Sequence, residues 1–155
     1  MFFLLFGPFF QGPALAESSF VPNSGGARLW AGPGFYSLHF NRNAGLKDAN
    51  PGLGLQWDIS PQWSLAVGRF DNSNERRSNY LGGIYMPWSW GTIRAGGVLA
   101  AFDGYPNMRD GGWFASAIPT IGFYGNRFAL NVGIIPELKD RVHGAISFQL
   151  LVRLH

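Results

Sequence analysis

The alternation of hydrophobic and polar positions is clearest in two short segments, 52–59 and 63–70. In each segment leucine, tryptophan, isoleucine or valine occupies every second position, and glycine, serine, glutamine or aspartate fills most of the others. A three-residue connection at 60–62 separates the two segments. A period of two on both sides of a short turn predicts an antiparallel hairpin with one apolar face and one small or polar face.

The same alternation recurs along the chain, and no clear helical period follows the first residues. It predicts eight strands, at 34–41, 52–59, 63–70, 79–86, 92–102, 113–124, 127–135 and 143–154. Residues 17–33, rich in Ser, Gly, Pro and Ala, indicate an irregular lead-in. The connections alternate between long polar loops (42–51, 71–78, 103–112, 136–142) and short turns (60–62, 87–91, 125–126). Eight strands joined in this way are typical of an all-β, up-and-down antiparallel barrel of the outer membrane.

The side on which the apolar faces lie separates two kinds of barrel. A soluble eight-stranded calyx of the lipocalin kind would turn them inward, whereas a membrane barrel would turn them to lipid. Charged residues make up only 14% of the chain and avoid the apolar faces. Four tryptophans lie near the short turns, where an aromatic girdle would form: Trp57, Trp63, Trp88 and Trp90. The pattern therefore favours the membrane barrel.

The first residues differ from the rest. Residues 2–10 are largely apolar, and Ala14-Leu15-Ala16 has the form of an export cleavage site, although no Lys or Arg precedes Arg28. We predict a signal peptide at 1–16 followed by a single barrel domain at 17–155; a buried N-terminal strand is the alternative. No later apolar run reaches the roughly 18 residues of a membrane helix.

Composition excludes several classes of function. The net charge of +3 comes from scattered basic residues, so it gives no support for nucleic-acid binding. The chain has no cysteine, and neither His143 nor His155 has a second ligand at metal spacing. We therefore expect no metal and no cofactor. Asp58, Arg94 and Arg153 project to the predicted interior near the short turns, where a charge network would close the barrel.

Candidate chemistry lies at the end of the barrel that carries the long loops. His39 ends the first predicted strand, and Asn72 and Ser73 follow the third, so the topology brings them to one rim. A neutral imidazole can take a proton from an attacking hydroxyl, and Ser73 can act as nucleophile or donor to an oxyanion. The alternative is that these residues only make hydrogen bonds and turns.

Four short patches, in order along 34–154, resemble one known family. They are Tyr36-Ser37-Leu38-His39-Phe40, Gly52-Leu53-Gly54-Leu55 with the Trp63 strand, Phe70-Asp71-Asn72-Ser73, and the pair Ile118-Pro119 and Ile135-Pro136. The family is the lipid A palmitoyltransferases of the PagP type, eight-stranded outer-membrane barrels that transfer an acyl chain from phospholipid to lipid A.

The resemblance implies roles for individual residues. His39 would be the base, Ser73 its hydroxyl partner, and Asn72 or Asp71 the orienting group. Pro119 and Pro136 would mark lipid entry, since proline cannot donate a ladder hydrogen bond. Arg76 and Arg77 would lie at the height of lipopolysaccharide phosphates, or be ordinary loop charges. An acyl slot would follow the interior glycines, which are Gly52, Gly54, Gly68, Gly82 and Gly96.

The chain also departs from the family. Asn72 stands where the family has an aspartate, the lead-in shows no amphipathic helix, and the loop after His39 looks shorter. Ile84 falls near the family's length-setting glycine, which implies a shorter acyl chain. The leading hypothesis is a monomeric acyltransferase with phospholipid and lipid A as partners in the bacterial outer membrane. The competing hypothesis is a non-enzymatic small barrel, either structural or lipid-binding.

Overall fold

The chain folds into a closed barrel of eight antiparallel strands, seen in a computed structural model that describes residues 27–139 and 141–155. The strands are β1 (Arg28–His39), β2 (Ala49–Asp58), β3 (Trp63–Asp71), β4 (Arg77–Trp90), β5 (Ile93–Phe102), β6 (Phe114–Tyr124), β7 (Phe128–Ile135) and β8 (Ala145–Arg153). A single 3₁₀ turn, Arg109–Gly111, is the one helical element among the described residues. Each strand pairs with the next, and β8 closes on β1.

The predicted all-β, up-and-down fold is confirmed. The long connections all leave one end of the barrel, called the loop end below, and the short ones leave the other, called the turn end. The predicted signal peptide at 1–16 lies outside the described residues and stays a prediction. In the part of the chain that the structure describes, no helix is long and apolar enough to cross a membrane.

Two strand boundaries differ from the prediction by four residues or more, and the others differ by three or fewer. β1 begins at Arg28, although residues up to 33 were expected to be irregular, and β4 runs to Trp90 through the predicted turn at 87–91. Both segments contain a proline, and in both the strand register shifts by one residue, between Gly32 and Gly34 and between Tyr85 and Trp88. Such bulges place the proline where it has no ladder bond to donate.

The apolar faces point outward, as the membrane-barrel prediction requires. Large apolar side chains are exposed on all eight strands, among them Leu53, Leu65, Leu81, Leu99, Ile121, Phe128, Ile134 and Leu150. The four tryptophans of the predicted girdle are exposed near the turn end. Polar side chains are buried inside instead, including Ser37, His39, Asn50, Gln56, Asp58, Ser64, Thr120 and Asn131. The outside of the barrel is therefore apolar, while the interior combines these polar side chains with buried apolar ones such as Trp30, Tyr80 and Leu151.

A polar network fills the interior near the turn end. The Asp58 carboxylate accepts hydrogen bonds from Trp30 Nε1 at 3.0 Å, Gln56 Nε2 at 3.0 Å and Ser64 Oγ at 2.7 Å. Arg94 lies 3.9 Å from the same carboxylate. A second group closes the network, because Gln56, Tyr124 and Asn131 bond to one another at 2.9–3.0 Å.

The predicted charge network at this end is thus present, with one correction. Arg153 is exposed at the rim and bonds to the backbone carbonyls of Asn126 and His155 rather than to Asp58. It is the last residue of β8, so its side chain lies beyond the level at which the strands enclose the interior.

Candidate functional site

A cavity of about 110 Å³ opens below the loop end of the barrel. His39 at the end of β1 and Ser73 after β3 both line it, so the two strand ends meet as the topology predicts. One wall is polar, with Ser37, Asn50 and Ser147 beside His39. The lining also includes the aromatic side chains Phe35, Phe70, Phe102 and Phe114. A ligand in this cavity would meet both a polar and an apolar surface.

His39 is held by a carboxylate that the sequence analysis did not single out. Its Nδ1 lies 3.3 Å from Oδ1 of Asp48, the residue that precedes β2. Asp48 also receives a two-pronged contact from Arg42, with Nη1 at 3.0 Å and Nη2 at 2.9 Å. Nδ1 next to a carboxylate carries the proton, which leaves the lone pair of the ring on Nε2.

The charge of Asp48 is fixed by the same contacts. The hydrogen bond from Arg42 is the largest influence and lowers the pKa of Asp48 below its ordinary value of 3.8, with a further lowering from His39. Asp48 in turn raises the pKa of Arg42. Asp48 is therefore ionised at neutral pH and keeps accepting a hydrogen bond from the His39 ring.

The second ring nitrogen of His39 opens to the cavity. His39 as a whole is buried, at 8% exposure. Every fully buried side-chain nitrogen or oxygen of the described residues has a hydrogen-bond partner, so an atom without one must be at least partly accessible. Nε2 has no hydrogen-bond partner among the described residues, so it is not fully buried, and His39 lines the cavity. A buried imidazole with one nitrogen on a carboxylate and the other exposed is the arrangement of a general base.

Ser73 belongs to a separate hydrogen-bonded chain. Its hydroxyl donates to Asn50 Oδ1 at 3.2 Å, and Asn50 Nδ2 donates to Ser37 Oγ and to the Asp48 carbonyl, each at 3.0 Å. The hydroxyl thus bonds to an amide and not to the His39 ring. Ser73 has no base beside it in this arrangement, so the geometry gives it a polar lining role more readily than that of a nucleophile.

Asn72 and Asp71 lie away from the base. The Asn72 amide donates to Ser78 Oγ at 2.8 Å and to the Gly104 carbonyl at 3.0 Å. Its oxygen accepts from the backbone N–H groups of Asn74 and Arg76. A carboxylate could not make the two donated bonds, which explains an asparagine here. Asp71 is exposed and lies 3.7 Å from Arg77, and neither Asn72 nor Asp71 lines the cavity.

The predicted rim arginines lie outside the cavity. Arg76 and Arg77 are both exposed, and Arg77 lines a surface groove between the first two long loops. In the same groove Lys47 contacts Glu75 at 2.7 Å, which lowers the pKa of Glu75. The groove mixes both signs of charge, so the structure does not single out an anion site there.

The interior glycines do not form the expected slot. A Cβ at Gly54 would come within 2.0 Å of the Tyr80 hydroxyl, and one at Gly68 within 2.6 Å of the same ring. The glycines therefore make room for Tyr80, whose hydroxyl also receives a bond from Gln149 at 3.3 Å. Gly82 packs against Ala100 in the same way.

Tyr80 stacks among Phe35, Phe70 and Phe102, with ring centroids 5.4–6.1 Å apart. Phe35, Phe70 and Phe102 line the cavity, and Tyr80 packs against them without lining it. Ile84 is buried on β4, two positions beyond Gly82, and also lines no part of the cavity. The aromatic lining is therefore backed by a ring, Tyr80, that the sequence pattern did not identify.

The seam between β6 and β7 is open at the loop end. Pairing runs from Tyr124 up to Thr120, opposite Gly133, and stops there, so residues 114–119 of β6 have no partner on β7. Pro119 is the next residue of β6 beyond the last pair, toward the loop end, and Pro136 is the first residue after β7. Ile118, Ile135 and Pro136 line the cavity, which therefore extends to the unpaired part of the seam.

The polar partners Asp48 and Asn50 were missed because they lie in a segment that the sequence pattern indicated as loop. The signal was present: they are two residues apart, so they share a face if β2 starts early, as it does at Ala49.

The described residues contain no group of three or more His, Asp or Glu that could hold a metal ion. Comparisons with protein-family models and with curated proteins gave no match to this chain.

Proposed function

We propose that the protein is an outer-membrane acyltransferase that moves an acyl chain from a phospholipid to lipid A or a related glycolipid, with His39 as general base. The observation that carries this proposal is the buried His39 ring, with Nδ1 on the Asp48 carboxylate and Nε2 facing the cavity. The family resemblance of the sequence points to the same reaction.

The surface of the barrel supports a membrane setting. Exposed apolar side chains cover all eight strands, whereas soluble monomers rarely expose contiguous apolar patches larger than a few hundred Å². A closed barrel also pairs each strand with two neighbours, as hydrocarbon requires, and only the loop end of the β6–β7 seam is left unpaired. Exposed tryptophans near the turn end suit a membrane–water interface. These features support the bacterial outer membrane as its location.

The cavity suits the transfer step. Nε2 of His39 takes the proton of the acceptor hydroxyl, and the oxygen of that hydroxyl attacks the carbonyl carbon of the phospholipid ester. The ester bond to the glycerol oxygen then breaks, and the proton passes from His39 to that oxygen. The products are an acylated glycolipid and a lysophospholipid. Ser73 bonds to Asn50, so direct attack by the acceptor fits this geometry better than a seryl intermediate.

The donor would reach the base from the side. The cavity of about 110 Å³ is smaller than the roughly 300–1,000 Å³ of pockets that enclose a whole small ligand. Only the ester end of the chain would therefore lie in it. The open β6–β7 seam beside Pro119 and Pro136 would let the rest of the chain remain in the membrane. The small volume of the cavity, with Phe35, Phe70 and Phe102 in its wall, agrees with a short inserted portion.

A second candidate is a non-enzymatic barrel that binds lipid or has a structural role. One observation favours it: the amide of Asn72 and the hydroxyl of Ser73 are both engaged in hydrogen bonds that hold the rim. In that case the cavity would take up an apolar chain without transferring it.

Mass spectrometry of lipid A from cells with and without the protein separates the two candidates. The acyltransferase predicts a lipid A species heavier by one acyl group only in cells that make the protein. The mass difference would also give the length of the chain. Identical spectra, with the barrel folded in the outer membrane, would favour the non-enzymatic candidate.

A further inference from the structure

The transfer proposed above develops a negative charge for which no partner has yet been named. When the acceptor oxygen attacks the phospholipid ester, the carbonyl oxygen becomes an oxyanion, which enzymes stabilise with hydrogen-bond donors already in place. The sequence analysis offered Ser73 for this role, but the Ser73 hydroxyl donates to Asn50 Oδ1 at 3.2 Å. The hydrogen-bond donor must therefore come from another part of the cavity lining.

The loop between β5 and β6, residues 103–113, contributes Tyr105 to that lining. In a closed barrel of eight strands β5 lies across the interior from β1, so this loop approaches the cavity from the side opposite His39. The acceptor hydroxyl has to lie between His39 and the ester carbon. A long side chain from the opposite side can reach the carbonyl oxygen without displacing that hydroxyl.

Two side chains hold the start of this loop in place. Asn72 donates to the Gly104 carbonyl at 3.0 Å. Ser78 donates to the Asp103 carbonyl at 2.7 Å. Both side chains are buried, and a Cβ at Gly104 would collide with the backbone of β4. The chain directly before Tyr105 is therefore fixed against β4, which gives the tyrosine a defined position.

The Tyr105 ring is packed, whereas its hydroxyl is open to a ligand. The ring meets Phe114 edge-on, with centroids 5.6 Å apart, and the Tyr105 carbonyl accepts from the Met108 N–H at 3.0 Å. The hydroxyl has no hydrogen-bond partner among the described residues, so it is not fully buried. Burial of the side chain raises the pKa of Tyr105 above its ordinary value of 10.0, so the hydroxyl keeps its proton. It is therefore a hydrogen-bond donor at the pH of the reaction.

We propose that the Tyr105 hydroxyl donates a hydrogen bond to the carbonyl oxygen of the phospholipid ester and stabilises the oxyanion formed during attack. The bond strengthens as negative charge develops, so it lowers the barrier more than it improves binding. The charge returns to the carbonyl when the bond to the glycerol oxygen breaks, and Tyr105 keeps its proton throughout. This inference rests on the proposed function and adds a residue to it.

Other polar side chains of the lining are placed less favourably for this role. Ser147 pairs with Ser37 of β1, so it lies on the same side of the cavity as His39. Ser116 lies in β6, and its side chain is much shorter than that of Tyr105. Three more are exposed to solvent, where water competes for hydrogen bonds: Asn107, Arg141 and His143.

The first test compares Tyr105→Phe, which removes only the hydroxyl, with Tyr105→Ala, which also removes the ring. In folded Tyr105→Phe kcat should fall roughly 10²-fold with little change in KM. Two controls should keep most of the wild-type rate: Tyr85→Phe, which loses a hydroxyl on the outer surface, and Ser116→Ala, which loses one in the cavity. Wild-type rates in Tyr105→Phe, with a loss only in Tyr105→Ala, would make the role of Tyr105 one of packing and overturn the proposal.

The second test needs binding but no turnover. His39→Ala, which lacks the base, is mixed with a phospholipid that carries isotope-labelled ester carbonyls, and infrared spectroscopy records the carbonyl band of the bound lipid. A hydrogen bond lowers the frequency of that band, so His39→Ala should show a low-frequency component that His39→Ala/Tyr105→Phe lacks. Identical bands would overturn the proposal. Failure of the acyl-transfer proposal would look different, with unchanged lipid A but the low-frequency component still present.

Discussion

At the turn end of the barrel Asp58 accepts hydrogen bonds from three side chains, whereas at the loop end His39 bonds to a single carboxylate and keeps Nε2 open. Both residues are buried inside the same barrel. The difference lies in what surrounds them, because the network around Asp58 closes on itself and the surroundings of His39 form a cavity. Buried polar groups stabilise a fold when all are paired, and they become available for chemistry when one is not.

The aromatic layer around Tyr80 separates the two halves. Gly54 and Gly68 let its ring cross the interior, and Gln149 holds its hydroxyl. Below the layer the network of Gln56, Tyr124 and Asn131 fills the barrel, and above it the cavity reaches the open seam between β6 and β7. We therefore expect substitutions below the layer to affect stability and substitutions above it to affect transfer.

The largest expected effect on stability is at Asp58. Replacing it with leucine leaves the Arg94 charge and three donors without their partner, so we expect a loss of roughly 3–5 kcal/mol in the free energy of unfolding. Urea unfolding in lipid or detergent, followed by tryptophan fluorescence, measures it. Asp71→Leu makes the same chemical change at an exposed pair and should cost less than about 1 kcal/mol. Equal costs at both positions would contradict the division of the interior.

The next effect is on transfer, at Asp48. In Asp48→Asn the amide can donate to His39 Nδ1, which favours the tautomer with its proton on Nε2, so the base is lost. We expect kcat to fall roughly 10²- to 10⁴-fold with little change in KM. Asp71→Asn is the control and should retain the wild-type rate. If Asp48→Asn raised KM and left kcat unchanged, Asp48 would bind substrate instead of positioning His39.

The smallest effect is the pH dependence of stability at the loop end. The pKa of Asp48 is lower in the fold than in the unfolded chain, so its carboxylate stabilises the rim above its ordinary pKa of 3.8. This contribution is lost as the pH falls through the lowered pKa. Between about pH 6 and about pH 3 the denaturant concentration at the unfolding midpoint should therefore fall further for the wild type than for Asp48→Asn. Parallel curves would show that the contacts of Asp48 contribute nothing to stability.

Most of the fold could be predicted because alternation with a period of two is a local property of each strand. The exceptions are segments where pairing with neighbours overrides local composition. Gly32-Pro33-Gly34 has the composition of a turn, yet the strand continues through it because β2 pairs with Gly32 and Gly34. β8 pairs with the residues before and after this segment, up to Ala31 and again from Tyr36. Pro87 in β4 is tolerated at a register shift for the same reason.

The candidate site could be predicted only in part. The meeting of His39 and Ser73 follows from topology alone, since the ends of β1 and β3 share a rim. The partner Asp48 could not be assigned, because a carboxylate in a polar loop gives no periodic signal. The position of the Tyr80 ring could not be predicted for another reason: glycines show that space exists, but not which distant side chain fills it.

The central claim is that Nε2 of His39 takes the proton of the acceptor hydroxyl and that the barrel folds without the His39 side chain. The most direct measurement is the rate of acyl transfer by purified His39→Ala, with heat-modifiable migration on gels as the check of folding. His143→Ala, which changes a second histidine of the same cavity, is the control. We predict that His39→Ala folds and loses transfer while His143→Ala keeps most of it. Folded His39→Ala that transfers at the wild-type rate would contradict the claim.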